Sequence, residues 1–245
     1  MKLFVKKALT FVLTLATALS AISVAGAYDA NNSAVNNTKA AFDALPDDAI
    51  VCYVMDTPVY KYEIDETGYI HKDFSDSVVS TCASGGVQTG TLATKHKSET
   101  ITANMIQVYT GYSETNEITY LHKTEAKNTA AAFLSGASKN YAIAQALGSY
   151  GGSVASSSPY YAAVAGVIGG VVILDAVSKE TVANNLTNTV SSNNGAKLIH
   201  ANSKYGSFYN VSAWNGSTVY KPCTYTTSNA TITISAVNCS HGSVW

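Results

Sequence analysis

The chain of 245 residues carries 15 lysines, 16 acidic residues, no arginine and a formal net charge of -1. That balance excludes ordinary nucleic-acid binding, because phosphate contact needs a basic stripe and base readout leans on the guanidinium fork. At this length a core can form without a metal, in one large domain or two small ones, with roughly 70% of the unfolded surface buried.

The N-terminus sets a compartment. Lys2, Lys6 and Lys7 precede an apolar block from Ala8 to Ala21, which leads into the small-residue site Ala25-Gly26-Ala27. Residues 1–27 are therefore expected to be a secretory signal peptide cleaved after Ala27, and the rest of the chain to be secreted, extracellular or attached to the cell surface. Lysine and asparagine in the absence of arginine point to an AT-rich bacterial genome. All four cysteines, Cys52, Cys82, Cys223 and Cys239, lie beyond the cleavage site. An even count in an exported chain reads as two disulfides. Of the three pairings, the sequence-local one (Cys52 with Cys82, Cys223 with Cys239) is favoured, each bridge being worth roughly 3 kcal/mol in the chain-entropy model. A zinc site is disfavoured, since no CxxC and no closely spaced histidines occur.

Residues 28–49 read as an N-terminal arm, Asn-rich at first and then helix-like in "NTKAAFDAL" up to Pro46. A β region follows over 50–125. "IVCYVMDTPVYKYEI" has the Val, Ile and Tyr content of strands, with Pro58 as a break or edge position. "VYKYEIDETGYIHK" reads as a hairpin turned at Asp65 to Gly68. "ETITANMIQVYT" and "NEITYLHK" read as two strands around a turn at "GYSETN", with apolar and polar positions partly alternating.

A helical hairpin is expected over 126–190. Ala130, Phe133, Leu134, Ala137, Tyr141, Ala144 and Leu147 fall at helical spacing from Ala126 onward. "GSYGGSVASSS" breaks that helix, and a second one starts at Pro159 behind the cap candidates Ser156 to Ser158 and runs to about Asn188. Beyond it, 191–245 reads as β hairpins. Asn215-Gly216 supplies a type I′ signal, and "TITISAV" places Ile232, Ile234 and Ala236 on one face. The expected fold is thus a single α+β domain over 50–245: two antiparallel β regions flanking a central apolar helical hairpin, stabilised by disulfides.

The run from Tyr160 to Leu174 has no polar side. As a helix it would span about 22 Å against a hydrocarbon core of roughly 30 Å, so it is short for a membrane span. Asp175 adds a further cost at its end. Two readings compete. In one, Val164, Gly166, Gly169, Gly170, Ile173 and Leu174 form a buried core helix whose glycines allow close backbone approach. In the other, the same residues belong to a hairpin released into a target bilayer, in texture similar to the apolar Ala/Gly/Val hairpins of pore-forming colicins and some bacteriocins.

No GxSxG, SxxK, HExxH or phosphate-loop pattern occurs, and nothing in the spacing of His71, His96, His122, His200 and His241 selects a catalytic pair. "EIDETGYIHKDF" fails as a calcium loop because Phe74 stands where a bidentate Glu is required, although Asp65, Asp73 and Asp76 remain as acidic neighbours. No catalytic residue, cofactor site or metal ligand is expected. Sixteen tyrosines and two tryptophans are the remaining functional hint. Phe208, Tyr209, Trp214 and Tyr220 form the candidate binding surface, because aromatic rings bring contact area at low entropy cost. The expected function is an exported, non-enzymatic binding protein whose partner is a protein, a glycan or a membrane surface. The alternatives are the membrane-active hairpin and a hydrolase with a nonstandard site.

Overall fold

Two neighbouring strands, Ile101–Tyr109 and Tyr112–His122, run antiparallel in unbroken register through a turn at Thr110 and Gly111, whose φ is +90°. They are the centre of the computed structural model, which describes residues 39–75, 87–93, 99–136, 176–239 and 244. Contacts divide the chain into two units, Met1–Leu45 and Pro46–Trp245. In the first, 39–43 form a helical turn with a Lys39–Asp43 ion pair at 2.8 Å.

The second unit contains β1 (Ile50–Val54), β2 (Thr57–Tyr60), β3 (Thr89–Thr91), β4 (Ile101–Tyr109) and β5 (Tyr112–His122), followed by α1 (Lys123–Leu134) and α2 (Ala176–Ser192). Then come β6 (Gly195–Ser203), β7 (Gly206–Trp214), β8 (Thr218–Tyr220), β9 (Cys223–Thr226) and β10 (Thr231–Cys239). Six strands form one antiparallel sheet in the order β7-β6-β5-β4-β10-β9. β1 pairs with β2, and β3 with β8, as separate two-stranded ladders.

Register assigns the faces. Leu121, Ala196, Leu198 and Val211 point to one side, where they join Ala126, Ala130 and Phe133 of α1 and Val182, Ala183, Leu186 and Val190 of α2 in a single apolar cluster. Those helical positions recur at three- and four-residue intervals, the stripe an amphipathic helix needs to lie on a sheet. Ile118, Tyr120 and Ile199 point to the opposite side, where β1 packs across β5 and β6. The segment after Gly68 runs beside β7: the Ile70 N–H donates to the Tyr209 carbonyl at 2.7 Å, the Tyr209 N–H donates to the Gly68 carbonyl at 3.0 Å, and Asn210 Nδ2 donates to the carbonyls of Ile70 and Lys72. The layers are therefore helices, sheet and β ladders.

This architecture overturns the expected α+β arrangement. The chain is mostly β among its described residues, and the two β regions are one sheet, because β5 and β6 pair directly along eight positions from Thr115–Asn202 to His122–Gly195. α1 and α2 pack against each other over the face of strands that are neighbours, so among the described residues no central helical hairpin separates two β regions. α1 ends at Leu134, well before Leu147. Gly136 takes φ +86° and its N–H returns to the Phe133 carbonyl, while the Ser135 N–H bonds the Ala131 carbonyl: a glycine stop that side-chain periodicity alone passes over. Val164, Gly166, Gly169, Gly170, Ile173 and Leu174 lie outside the described residues. No described helix is long and apolar enough to cross a membrane.

The disulfide framework is also overturned. Cys223 stands opposite Ile234, and Cys239 stands opposite Ile101 at the far end of β10. Five residues of strand at ~3.3 Å each separate the two positions by roughly 16 Å, beyond the ~7 Å limit for Cα atoms in a disulfide. Cys52 is a buried free thiol, its pKa pushed far up by burial. Cys82 lies outside the described residues.

Three local expectations also change. Asn215-Gly216 does not close a hairpin, since β7 pairs with β6 while β8 pairs with β3. Asn215 Oδ1 instead accepts the N–H groups of Ser217 and Thr218, at 2.9 Å each, and the turn carries the chain from one ladder to another. The Asp65 to Gly68 turn forms, but only a single Ile64–Ile70 bridge follows it. In β10 the register shifts between Ile234 and Ala236, so the regular alternation stops at Ile234.

Candidate functional site

In an antiparallel sheet the turns gather at its two ends. At one end lie the β4–β5 turn (Thr110, Gly111), the β6–β7 turn (Lys204, Tyr205), the β9–β10 turn and the β1–β2 turn (Met55, Asp56). The β1–β2 turn has the two-residue geometry of a tight hairpin, with φ of +52° at Met55 and +66° at Asp56. Left-handed backbone in non-glycine residues costs roughly 1–2 kcal/mol each.

What holds this turn is a row of polar side chains on β4 and β5. Gln107 and Glu114 are register partners, and Asn116 is diagonal to Gln107. Glu114 Oε2 accepts the Tyr53 N–H at 2.9 Å, Asn116 Oδ1 accepts the Met55 N–H at 3.2 Å, and Gln107 Oε1 accepts the Asp56 N–H at 3.0 Å. The Tyr53 carbonyl accepts from Gln107 Nε2 at 3.0 Å and from Asn116 Nδ2 at 3.2 Å. All three side chains are buried, with exposures of 0% for Gln107, 4% for Glu114 and 2% for Asn116. The Asp56 carboxyl reaches Thr227 Oγ1 of the β9–β10 turn at 3.4 Å.

Over this clamp lies an aromatic rim. The Tyr53 and Tyr109 rings are 5.0 Å apart, and Tyr109 stacks on Tyr112 at 4.8 Å with an 11° interplanar angle. Lys204 Nζ sits 5.3 Å from the centre of the Tyr112 ring and 4.9 Å from that of Tyr205. Tyr112 is 37% exposed. Burial raises the Glu114 carboxyl to about 7, against the opposing pull of the Tyr53 N–H and of Lys204. Burial, followed by the field of Glu114, also raises the phenols of Tyr53, Tyr109 and Tyr112. The rim thus joins flat π faces, a cation and a carboxyl that titrates near neutrality.

The residues expected to form a binding surface lie elsewhere. Phe208, Tyr209, Trp214 and Tyr220 are all buried. Trp214 Nε1 donates to the Thr218 carbonyl at 2.6 Å and its ring lies 5.2 Å from that of Tyr120, while Tyr209 stacks on His200 at 4.7 Å. These four rings serve the interior, Tyr209 in the helix-facing cluster and Trp214 beside Tyr120 on the other side of the sheet.

His71 is bonded to Asp65 at 2.8 Å on the surface, and burial lowers the pKa of His122, which packs edge-on against Trp214. His96 and His241 fall outside the described residues. Among the described residues no group of three or more His, Cys, Asp or Glu side chains could hold a metal ion. Asp65 accepts from Thr67, Tyr69 and His71, so it builds its own turn, and Asp73 is bonded to Ser75. The tyrosines that do form the rim were missed. Their signal was the placing of Tyr109 and Tyr112 astride Thr110-Gly111 and of Lys204-Tyr205 before Gly206, which becomes meaningful only once β5 and β6 are known to be neighbours. No protein-family model, curated protein or solved structure matches the chain.

Proposed function

We propose that the protein is an exported binding protein that engages its partner through the tyrosine rim at the β4–β5 and β6–β7 turns. The observation that carries this reading is the contiguous row of rings from Tyr53 through Tyr109 to Tyr112, extended across Lys204 to Tyr205 and partly open to solvent. Tyrosine supplies large amphipathic contact area with few rotors to freeze. The clamp under the β1–β2 turn holds Tyr53 in place before any partner arrives, and preorganisation of that kind lowers the cost of binding. Export rests on the N-terminal Lys2 to Ala27 pattern and is tested by the mass of the protein recovered outside the cell, which should begin at Tyr28.

The binding test uses arrays of glycans and of peptides probed with purified protein and with Tyr112→Ala. Loss of the strongest signals by about tenfold or more, at unchanged melting temperature, supports the rim. Signals that survive Tyr112→Ala and Tyr53→Ala alike overturn it.

A further inference from the structure

Lys204 reveals the chemistry of the rim. Among the described residues its ammonium has no hydrogen-bond or salt-bridge partner; it rests on the faces of Tyr112 and Tyr205 alone. A second lysine seated on a tyrosine among the described residues differs. Lys72 lies 5.6 Å from the Tyr60 ring centre, but its ammonium is held by Glu63 at 2.8 Å and 3.0 Å and by the Pro58 carbonyl at 2.8 Å. Lys72 is a built-in structural cation, whereas Lys204, in an exposed two-residue turn, is an exchangeable one.

Glu114, two residues after Tyr112 on the same face of β5, is buried, and its carboxyl lies within the field of Lys204. Two ring faces beside an acidic group attract a positive charge, because the quadrupole of each ring and, once pH rises above about 7, the Glu114 carboxylate act in the same sense. We propose that the ring faces of Tyr112 and Tyr205 under Lys204 are a binding site for an organic ammonium group, which enters by displacing the side chain of Lys204. This deepens the reading of the rim as a binding surface and rests on it. The chain's own lysine is then a weak internal competitor, and removing it should improve binding rather than impair it.

The test is an NMR titration of the tyrosine ring signals with tetramethylammonium, with N-acetyl-lysine methylamide as a primary-amine arm and tert-butanol as the uncharged control. Both cations should shift Tyr112 and Tyr205, and tert-butanol should not. A stronger response to tetramethylammonium identifies a quaternary ligand, and a stronger response to the lysine analogue identifies a side chain of a partner. Lys204→Ala should tighten cation binding by about two- to fivefold, the range of one exposed cation–π contact. Tyr112→Leu should abolish it, and at pH 8, where Glu114 is ionised, Glu114→Gln should weaken it. Equal response to cation and control overturns the proposal, as does a Lys204→Ala variant that binds no more tightly than the parent. If those results appear while array binding still depends on Tyr112, the ammonium assignment fails and the rim stands; if neither depends on Tyr112, both fall.

Discussion

The two faces of the six-stranded sheet are covered by different physics. On one side α1 and α2 are attached by apolar burial, with Phe133, Leu186 and Leu198 in a common cluster. On the other, near the rim, the β1–β2 hairpin is attached by Gln107, Glu114 and Asn116, which bond the backbone of residues 53, 55 and 56. Apolar attachment is non-directional and insensitive to protonation, whereas a polar clamp fixes one geometry and contains a group that can titrate. The rim is built on the second kind, so its shape is better defined and its clamp holds a carboxyl that titrates near neutrality.

The sharpest break of the comparison is on the helix face. Phe133→Ala should cost about 3–5 kcal/mol in denaturant unfolding, because it removes a fully buried ring and leaves a cavity between α1 and the sheet. The loss should be the same in a Glu114→Gln background, since Phe133 and the clamp lie on opposite faces of the sheet.

The clamp should behave otherwise. The folded Glu114 carboxyl holds its proton up to about 7, while the unfolded one releases it near the ordinary value of about 4.3. Between those values the folded chain carries more protons than the unfolded one, so the Glu114 contribution to stability is full below the unfolded pKa and is lost as pH rises through 7. His122 acts in the opposite sense: burial lowers its pKa, so its contribution is lost as pH falls. The comparison must therefore be made against Glu114→Gln. At pH 8 that variant should be more stable than the parent by on the order of 3 kcal/mol, an advantage that falls to about 1 kcal/mol at pH 5 and vanishes below about pH 4. A pH-independent difference would mean that the carboxyl is not desolvated as described.

The contrast between the faces also explains what was legible in the sequence. The helix stripes of Ala126, Ala130 and Phe133 and of Val182, Leu186 and Val190 appear as periodicity, and the strands β4, β5, β7 and β10 as alternation, because apolar burial writes a repeat into the chain. Gln107, Glu114 and Asn116 occupy the polar positions of an alternating strand and look like a solvated face, yet they are buried. No local signal distinguishes a polar residue facing water from one facing the backbone of a strand more than fifty residues away. For the same reason Phe208, Trp214 and Tyr220 looked like a surface: β-propensity does not say which face a second layer covers. The β5–β6 pairing bridges about seventy intervening residues, and that pairing decides both the class of the fold and which turns share an end.

Asn116 tests the clamp without a charge. Asn116→Ala strands the Met55 N–H, takes one donor from the Tyr53 carbonyl and removes an acceptor of Gln107 Nε2, at a cost of about 2 kcal/mol. Hydrogen exchange should localise the loss, with the amides of 53–57 exchanging faster while those of β6 keep their protection. Uniform acceleration would show that the hairpin and the helix face unfold as one unit.

The smallest expected effect bears most directly on the strain in the β1–β2 turn. Asp56 has φ +66° and a half-buried carboxyl whose pKa is raised by desolvation and lowered by its bond to Thr227. Glycine accepts that φ without the Cβ penalty but loosens the unfolded chain and gives up the Thr227 contact. Aspartate also tolerates left-handed backbone better than most residues, so the net gain for Asp56→Gly should stay below about 1 kcal/mol. Asp56→Val sharpens the result, because a β-branched side chain at the same φ adds strain and should destabilise by about 1–3 kcal/mol. If Gly and Val move the denaturation midpoint in these opposite directions, the clamp is holding a turn that would otherwise relax. If both destabilise equally, the Asp56 carboxyl and its bond to the β9–β10 turn matter more than the backbone, and the rim is tied together by side chains at both of its edges.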